Sequence, residues 1–235
     1  MSAARDEILG RIRTALGPGS DAAADALAAR LAAHPRHLVP ARAQGLDRAQ
    51  RVALFAALAV AADATVARVA QAADVPAAVA QYLAARNLAA RVVMTPDPLL
   101  DQCPWPSAPM LAIRRGVAAA DDAVGVSAAF AGIAETGTLM LISGPDSPTT
   151  NNFLPETHIV VLNEAQIVGI YEDAWDRLRA ARMAGGVALP RTINLVTGPS
   201  RTGDIAQRLE LGAHGPRRLH IVLVEGDDGG AAAER

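Results

Sequence analysis

The sequence predicts an α/β fold: a mostly parallel sheet flanked by helices, with an N-terminal helical extension. Three observations carry that prediction. Short apolar runs such as Leu139–Ile142, His158–Leu162 and Leu219–Val224 stand between Gly and Pro turns, as strands buried on both faces of a parallel sheet do. Longer segments with helical spacing, 46–63, 76–86 and 172–183, alternate with them. That alternation requires helices on both faces of the sheet. The chain also opens on an amphipathic segment separated from the rest by Gly and Pro.

In that segment Ile8, Ile12 and Leu16 lie four apart, with Arg5, Asp6, Arg11 and Arg13 on the other faces. This is a short helix ending at Gly17-Pro18. It fits either a helix docked on its own domain or an arm for a partner or second copy. An Ala-rich helix is expected at 21–33 and a loop with two prolines at 34–45. Residues 1–45 are thus a helical extension and linker, 46–226 the α/β domain, and 227–235 a Gly/Asp/Ala tail expected to be mobile. Within the domain the reading gives strands at 64–69, 91–94, 124–126, 139–142, 158–162, 192–197 and 219–224. A turn or helix is expected at 127–131 and a further helix at 203–211. Trp105, in the Pro-rich stretch 101–109, suits a cap over an apolar patch or a cover for a ligand.

Composition removes several classes of function. A net charge of −2 and 3% aromatics give neither the basic field nor the stacking surface of a nucleic-acid binder. All 22 basic residues are arginine, which excludes a Schiff-base lysine and a P-loop lysine. Cys103 is the single cysteine, so the chain has no intrachain disulfide and too few thiolates for an iron–sulfur cluster. No His/Cys spacing resembles a zinc site. No secretory signal or run of the ~20 apolar residues needed for a membrane span is seen, and a soluble cytoplasmic protein is expected.

Two polar knots stand out. The first, Glu135-Thr136-Gly137-Thr138, runs straight into the strand 139–142. It concentrates a carboxylate, two hydroxyls and a glycine that admits close backbone approach. The second follows the strand 192–197: Gly198-Pro199 turns the chain, and Ser200, Arg201 and Thr202 come next. Read as the start of a helix, with Ser200 or Thr202 as its cap and Asp204 in its first turn, it would make an anion site. In such sheets sites lie beyond the carboxyl ends of the strands. His214, between two glycine turns, is either a general acid/base or a hinge. His158 and His220, in apolar strand surroundings, read as structural.

The segments AETGTL (134–139) and GPSRTGDI (198–205), followed by LGAHGPRRLHIVLVE (211–225), resemble the LUD-domain family. Within it they look like the short members of the lactate-utilisation protein C group, over about 124–224. The resemblance implies a NagB/RpiA/CoA-transferase-like fold. Related CoA transferases use a glutamate nucleophile and related isomerases a carboxylate base, which implies Glu135 as the catalytic group, with His214 as acid/base. Thr136, Gly137, Thr138, Gly198, Ser200, Arg201 and Thr202 would bind the ligand. The resemblance further implies the cluster-free component of a system oxidising L-lactate to pyruvate, with no cofactor on this chain and the iron–sulfur clusters in partner subunits. The alternative is a stand-alone enzyme, or a sensor, acting on a small phosphorylated or CoA-linked anion. One departure matters: relatives carry an arginine after the first knot, but none stands between Arg115 and Arg177 here. Leu154-Pro155 is kept, and Asn151 and Asn152 are the polar groups on offer.

Overall fold

A computed structural model describes residues 3–17, 21–36, 38–184, 186, 188–203 and 210–226. The chain divides into two compact units, Met1–Val39 and Pro40–Arg235. The first holds α1 (Ala3–Leu16) and α2 (Asp21–Ala33). No residue of α1 is buried, and Ile8, Ile12 and Leu16 are exposed. The tail expected at 227–235 lies outside the described residues.

The second unit begins with α3 (Arg48–Ala61). Asp47 and Gln50 form its capping box: Asp47 Oδ1 accepts the Gln50 N–H at 2.8 Å, and Gln50 Oε1 accepts the Asp47 N–H at 3.0 Å. Asp63, at φ 66°, turns the chain out of the helix. Then come β1 (Thr65–Val69), α4 (Val75–Ala85), β2 (Arg91–Met94), α5 (Pro98–Asp101), β3 (Ala112–Arg115) and β4 (Val124–Ala128). After these follow β5 (Ala131–Ile133), β6 (Thr138–Ile142), α6 (Thr150–Phe153), β7 (Thr157–Asn163) and β8 (Ile167–Val168). The unit closes with α7 (Tyr171–Ala184), β9 (Ile193–Val196), β10 (Arg201–Thr202), β11 (Glu210–Leu211) and β12 (Arg218–Val224).

The main sheet has six strands in the order β1-β12-β7-β4-β2-β3, and every neighbouring pair is parallel. A second sheet, β8-β5-β6-β9, is mixed: β6 runs antiparallel to both β5 and β9. Side-chain alternation along β7 shows the layering. Ile159 and Val161 pack with Val79, Leu83, Leu100 and Trp105 on the α4–α5 side. Val160 and Leu162 pack with Phe55 of α3 and Leu139 and Leu141 of β6 on the other. Met140, pointing the opposite way from β6, meets Ala174 and Leu178 of α7. The layers are therefore α4 and α5, the main sheet, α3 with the second sheet, then α7. Trp105 is a core residue, its ring N–H donating to the Leu100 carbonyl at 2.6 Å.

Three expectations need correction. Leu139–Ile142 is a buried strand, but of the mixed second sheet, antiparallel to both its neighbours; it is apolar throughout because β6 lies between the main-sheet layer and α7. The segment 127–131 is neither turn nor helix, since β4 runs on to Ala128 and β5 starts at Ala131. The helix expected at 203–211 is not seen at its described ends: Gly203 is a bend, and Glu210 and Leu211 form a strand that pairs antiparallel with Thr202 and Arg201 just before the span. Its middle, 204–209, including Asp204, lies outside the described residues.

Candidate functional site

The first knot is the β5–β6 turn, and its groups are spent on packing. Glu135 is 5% exposed, and its Oε1 accepts the N–H of Tyr171, the first residue of α7, at 3.0 Å. Its own N–H donates to Gly169 O at 3.0 Å. The Tyr171 hydroxyl returns to the same turn, 3.0 Å from both Thr136 Oγ1 and Thr138 Oγ1. The two threonine hydroxyls lie 2.7 Å apart. Gly137, at φ +67°, faces the end of α3: a Cβ there would stand 2.4 Å from Ala59 N and 2.6 Å from Leu58 C. Its lack of a side chain admits a helix.

The two knots meet at one point, where Thr138 Oγ1 lies 2.6 Å from Thr197 Oγ1. From Thr197 onward the second knot borders a cavity of about 240 Å³ in the seam between the main sheet and β9. Gly198, Ser200, Arg201 and His214 line it. Glu135, Thr136, Gly137, Thr138 and Thr202 do not. Gly198, at φ +72°, also abuts α3: a Cβ would come within 1.9 Å of Ala62 O. Ser200 is held by the 212–216 loop, donating its N–H to Pro216 O at 2.8 Å and accepting the Gly212 N–H at 2.8 Å and, at Oγ, the His214 N–H at 3.3 Å. Arg201 is no helix-cap neighbour but a strand residue, and one guanidinium nitrogen pairs with Asp63 at 3.1 Å.

The cavity also holds polar groups that sequence reasoning had set aside. His158, 1% exposed, is on its wall, and His158 Nε2 shares a 2.7 Å hydrogen bond with Ser127 Oγ. Burial pushes the imidazole down to about 4, so the ring is neutral near pH 7. Asn152 lines the cavity as well, whereas Asn151 is structural: its Oδ1 accepts the Ala118 N–H at 2.7 Å and its Nδ2 donates to Gly116 O at 2.8 Å. Leu195, Phe153 and Leu219 supply apolar wall. His158 and Leu219 are the second residues of β7 and β12, so this cavity sits at the amino ends of those strands. A signal for the pair existed in the sequence, because Ser127 and His158 are polar positions inside otherwise apolar strands. Their pairing needs the β4–β7 register, Gly125 against His158, which sequence does not reveal.

A family model for the LUD domain matches residues 107–224, half of the 235. The chain belongs to the LUD-domain family. The chain is similar to the lactate utilization protein C of Bacillus subtilis, 37% identical over 101 residues, 43% of this chain and 42% of that protein. An uncharacterised Neisseria meningitidis protein is 36% identical over 100 residues, 43% of this chain and 41% of that protein. The matched part thus spans about two fifths of the length of these curated relatives. A crystal structure of a DUF162-family protein from Deinococcus radiodurans shares the fold: TM-score 0.55, 25% identity, covering 76% of this chain and 99% of that one.

The geometry gives Glu135 a testable structural role in the LUD domain. Glu135→Ala should cost about 1–3 kcal/mol, the penalty for leaving a buried N–H unpaired. Glu135→Gln keeps a carbonyl acceptor and should lose less than about 1 kcal/mol of that. Urea denaturation measures both, and equal losses in the two variants would remove the capping role.

Proposed function

We propose that this LUD domain serves lactate utilisation as the cluster-free component of an iron–sulfur L-lactate oxidation system. The observation that carries the proposal is its 37% identity over 101 residues to a lactate utilization protein C, beside a LUD-domain match, 107–224, that contains the residues lining the cavity. Cys103 fits the cluster-free assignment: it is buried, its thiol faces the Leu99 carbonyl at 3.4 Å, and burial pushes it up to about 11. Among the described residues, no helix is long and apolar enough to cross a membrane. The exposed Ile8, Ile12 and Leu16 suit an arm for a cluster-bearing subunit. The alternative, a stand-alone transferase or isomerase with Glu135 as nucleophile or base, has less support, because that carboxylate is engaged at the start of α7.

The test is native, anaerobic purification of the tagged protein from its own cells, followed by a lactate-dependent dye-reduction assay. Activity together with iron-containing partners in the native eluate, and neither in protein made alone, is the expected result. A colourless, inactive eluate would overturn the proposal.

A further inference from the structure

The seam cavity carries an assignment of its own. We infer that it binds a small carboxylate bearing a hydroxyl or carbonyl on the neighbouring carbon, with Asn152 and the His158–Ser127 pair as its polar floor.

Size comes first. At about 240 Å³ the cavity falls below the ~300–1,000 Å³ typical of drug-sized ligands, so it takes a molecule of a few carbons. Charge comes second. No carboxylate is among the described lining residues, while Ser200, Arg201 and His214 stand together on one side. Arg201 gives one nitrogen to Asp63 and keeps the rest of its fork, the geometry that suits a carboxylate.

The floor decides the rest of the ligand. Asn152 is 4% exposed, and its carboxamide makes no hydrogen bond to any described residue. A buried amide without a partner is costly, and a ligand group that both donates and accepts relieves that cost. Among the described residues the sealed, unpartnered polar side-chain atoms are Arg51 Nε, Asn194 Nδ2 and His220 Nε2; Asn152 is not one of them, so its amide opens on the cavity. His158 spends Nε2 on Ser127, and its Nδ1, likewise unpartnered and unsealed, is left for the cavity. A neutral imidazole and a neutral amide match a hydroxyl or carbonyl, not a second charge. Leu195 and Leu219 then hold the carbon skeleton. This deepens the lactate-utilisation reading and rests on it for the choice of L-lactate and pyruvate as probes.

The experiment is NMR titration of the purified, ¹⁵N-labelled full-length chain, with both ligand and protein signals observed, using L-lactate, pyruvate, acetate and inorganic phosphate. The better of L-lactate and pyruvate should bind at least ten-fold tighter than acetate or phosphate, and Asn152→Leu should lose at least ten-fold. Should Asn152→Leu fail to fold by circular dichroism, the isosteric Asn152→Asp, which sets a negative charge against the ligand, should show the same loss. In the wild type the ligand should move the His158 imidazole ¹⁵N resonances. Equal binding of acetate, equal binding of phosphate, an unchanged Kd in a folded Asn152 variant or silent His158 resonances would each overturn the assignment. Failure of the two readings is separable. Binding through Asn152 with no lactate oxidation in the native eluate removes the system reading alone; oxidation without binding by this chain removes the site alone.

Discussion

Alanine in place of Gly137 or Gly198 should remove about 2–5 kcal/mol of stability. The left-handed backbone contributes about 1–2 kcal/mol for any residue with a Cβ, at φ +67° and +72°. Steric conflict adds about 1–3 kcal/mol, as for overpacked cores. The obstacle in both cases is the backbone of α3 near its end, Ala59 N and Leu58 C for Gly137 and Ala62 O for Gly198, so no side chain can rotate away. Gly144 is the control: a Cβ there meets nothing within 4 Å, and Gly144→Ala should change stability by under about 0.5 kcal/mol. Chemical denaturation of the three variants makes the comparison. A Gly198→Ala protein as stable as wild type would show that the turn does not dock on α3 as described.

The second large effect is acid sensitivity between pH 6.5 and 4. His158 and His220 are both lowered from 6.5 to about 4, chiefly by burial. His220 is stacked on Tyr82, centroids 3.9 Å apart, with Nδ1 2.8 Å from Thr65 Oγ1 and Nε2 sealed without a partner among the described residues. Between those values the unfolded chain binds more protons than the folded one, so stability rises with pH and is lost as pH falls. Each ring contributes about 3 kcal/mol across the window. Two such losses rival a whole domain's ~5–15 kcal/mol. The urea midpoint should therefore fall steeply between pH 6.5 and 4, and His220→Phe, which keeps the stack, should flatten the slope by about half. A midpoint that stays level through the window would sink this account.

The main sheet was readable because β7 and β12 are apolar runs with clear Gly and Pro borders, and α3, α4 and α7 have helical spacing at full length. The second sheet was not. β5 has three residues and β8 two, too few to show a period, and β6 reads like a parallel strand because both its faces are buried. The polar knots were visible as composition, but composition does not say which way a group faces. Glu135 faces a helix end, Gly137 and Gly198 face α3, and the unspent polar groups, Asn152 and His158, come from positions that sequence marks as loop and core.

The hydroxyls of Thr136, Thr138, Tyr171 and Thr197 invite a count of protons. They make four hydrogen bonds among themselves and own one proton each. Thr136 donates to Tyr171, so Thr138 must donate to Thr136, Tyr171 to Thr138, and Thr197 to Thr138. The cluster thus has a single sense of circulation and no proton to spare. Thr197, the member that reaches the cavity, meets whatever enters with lone pairs alone. It therefore accepts from an O–H or N–H of the ligand and leaves the carboxylate end to the Arg201 side of the cavity.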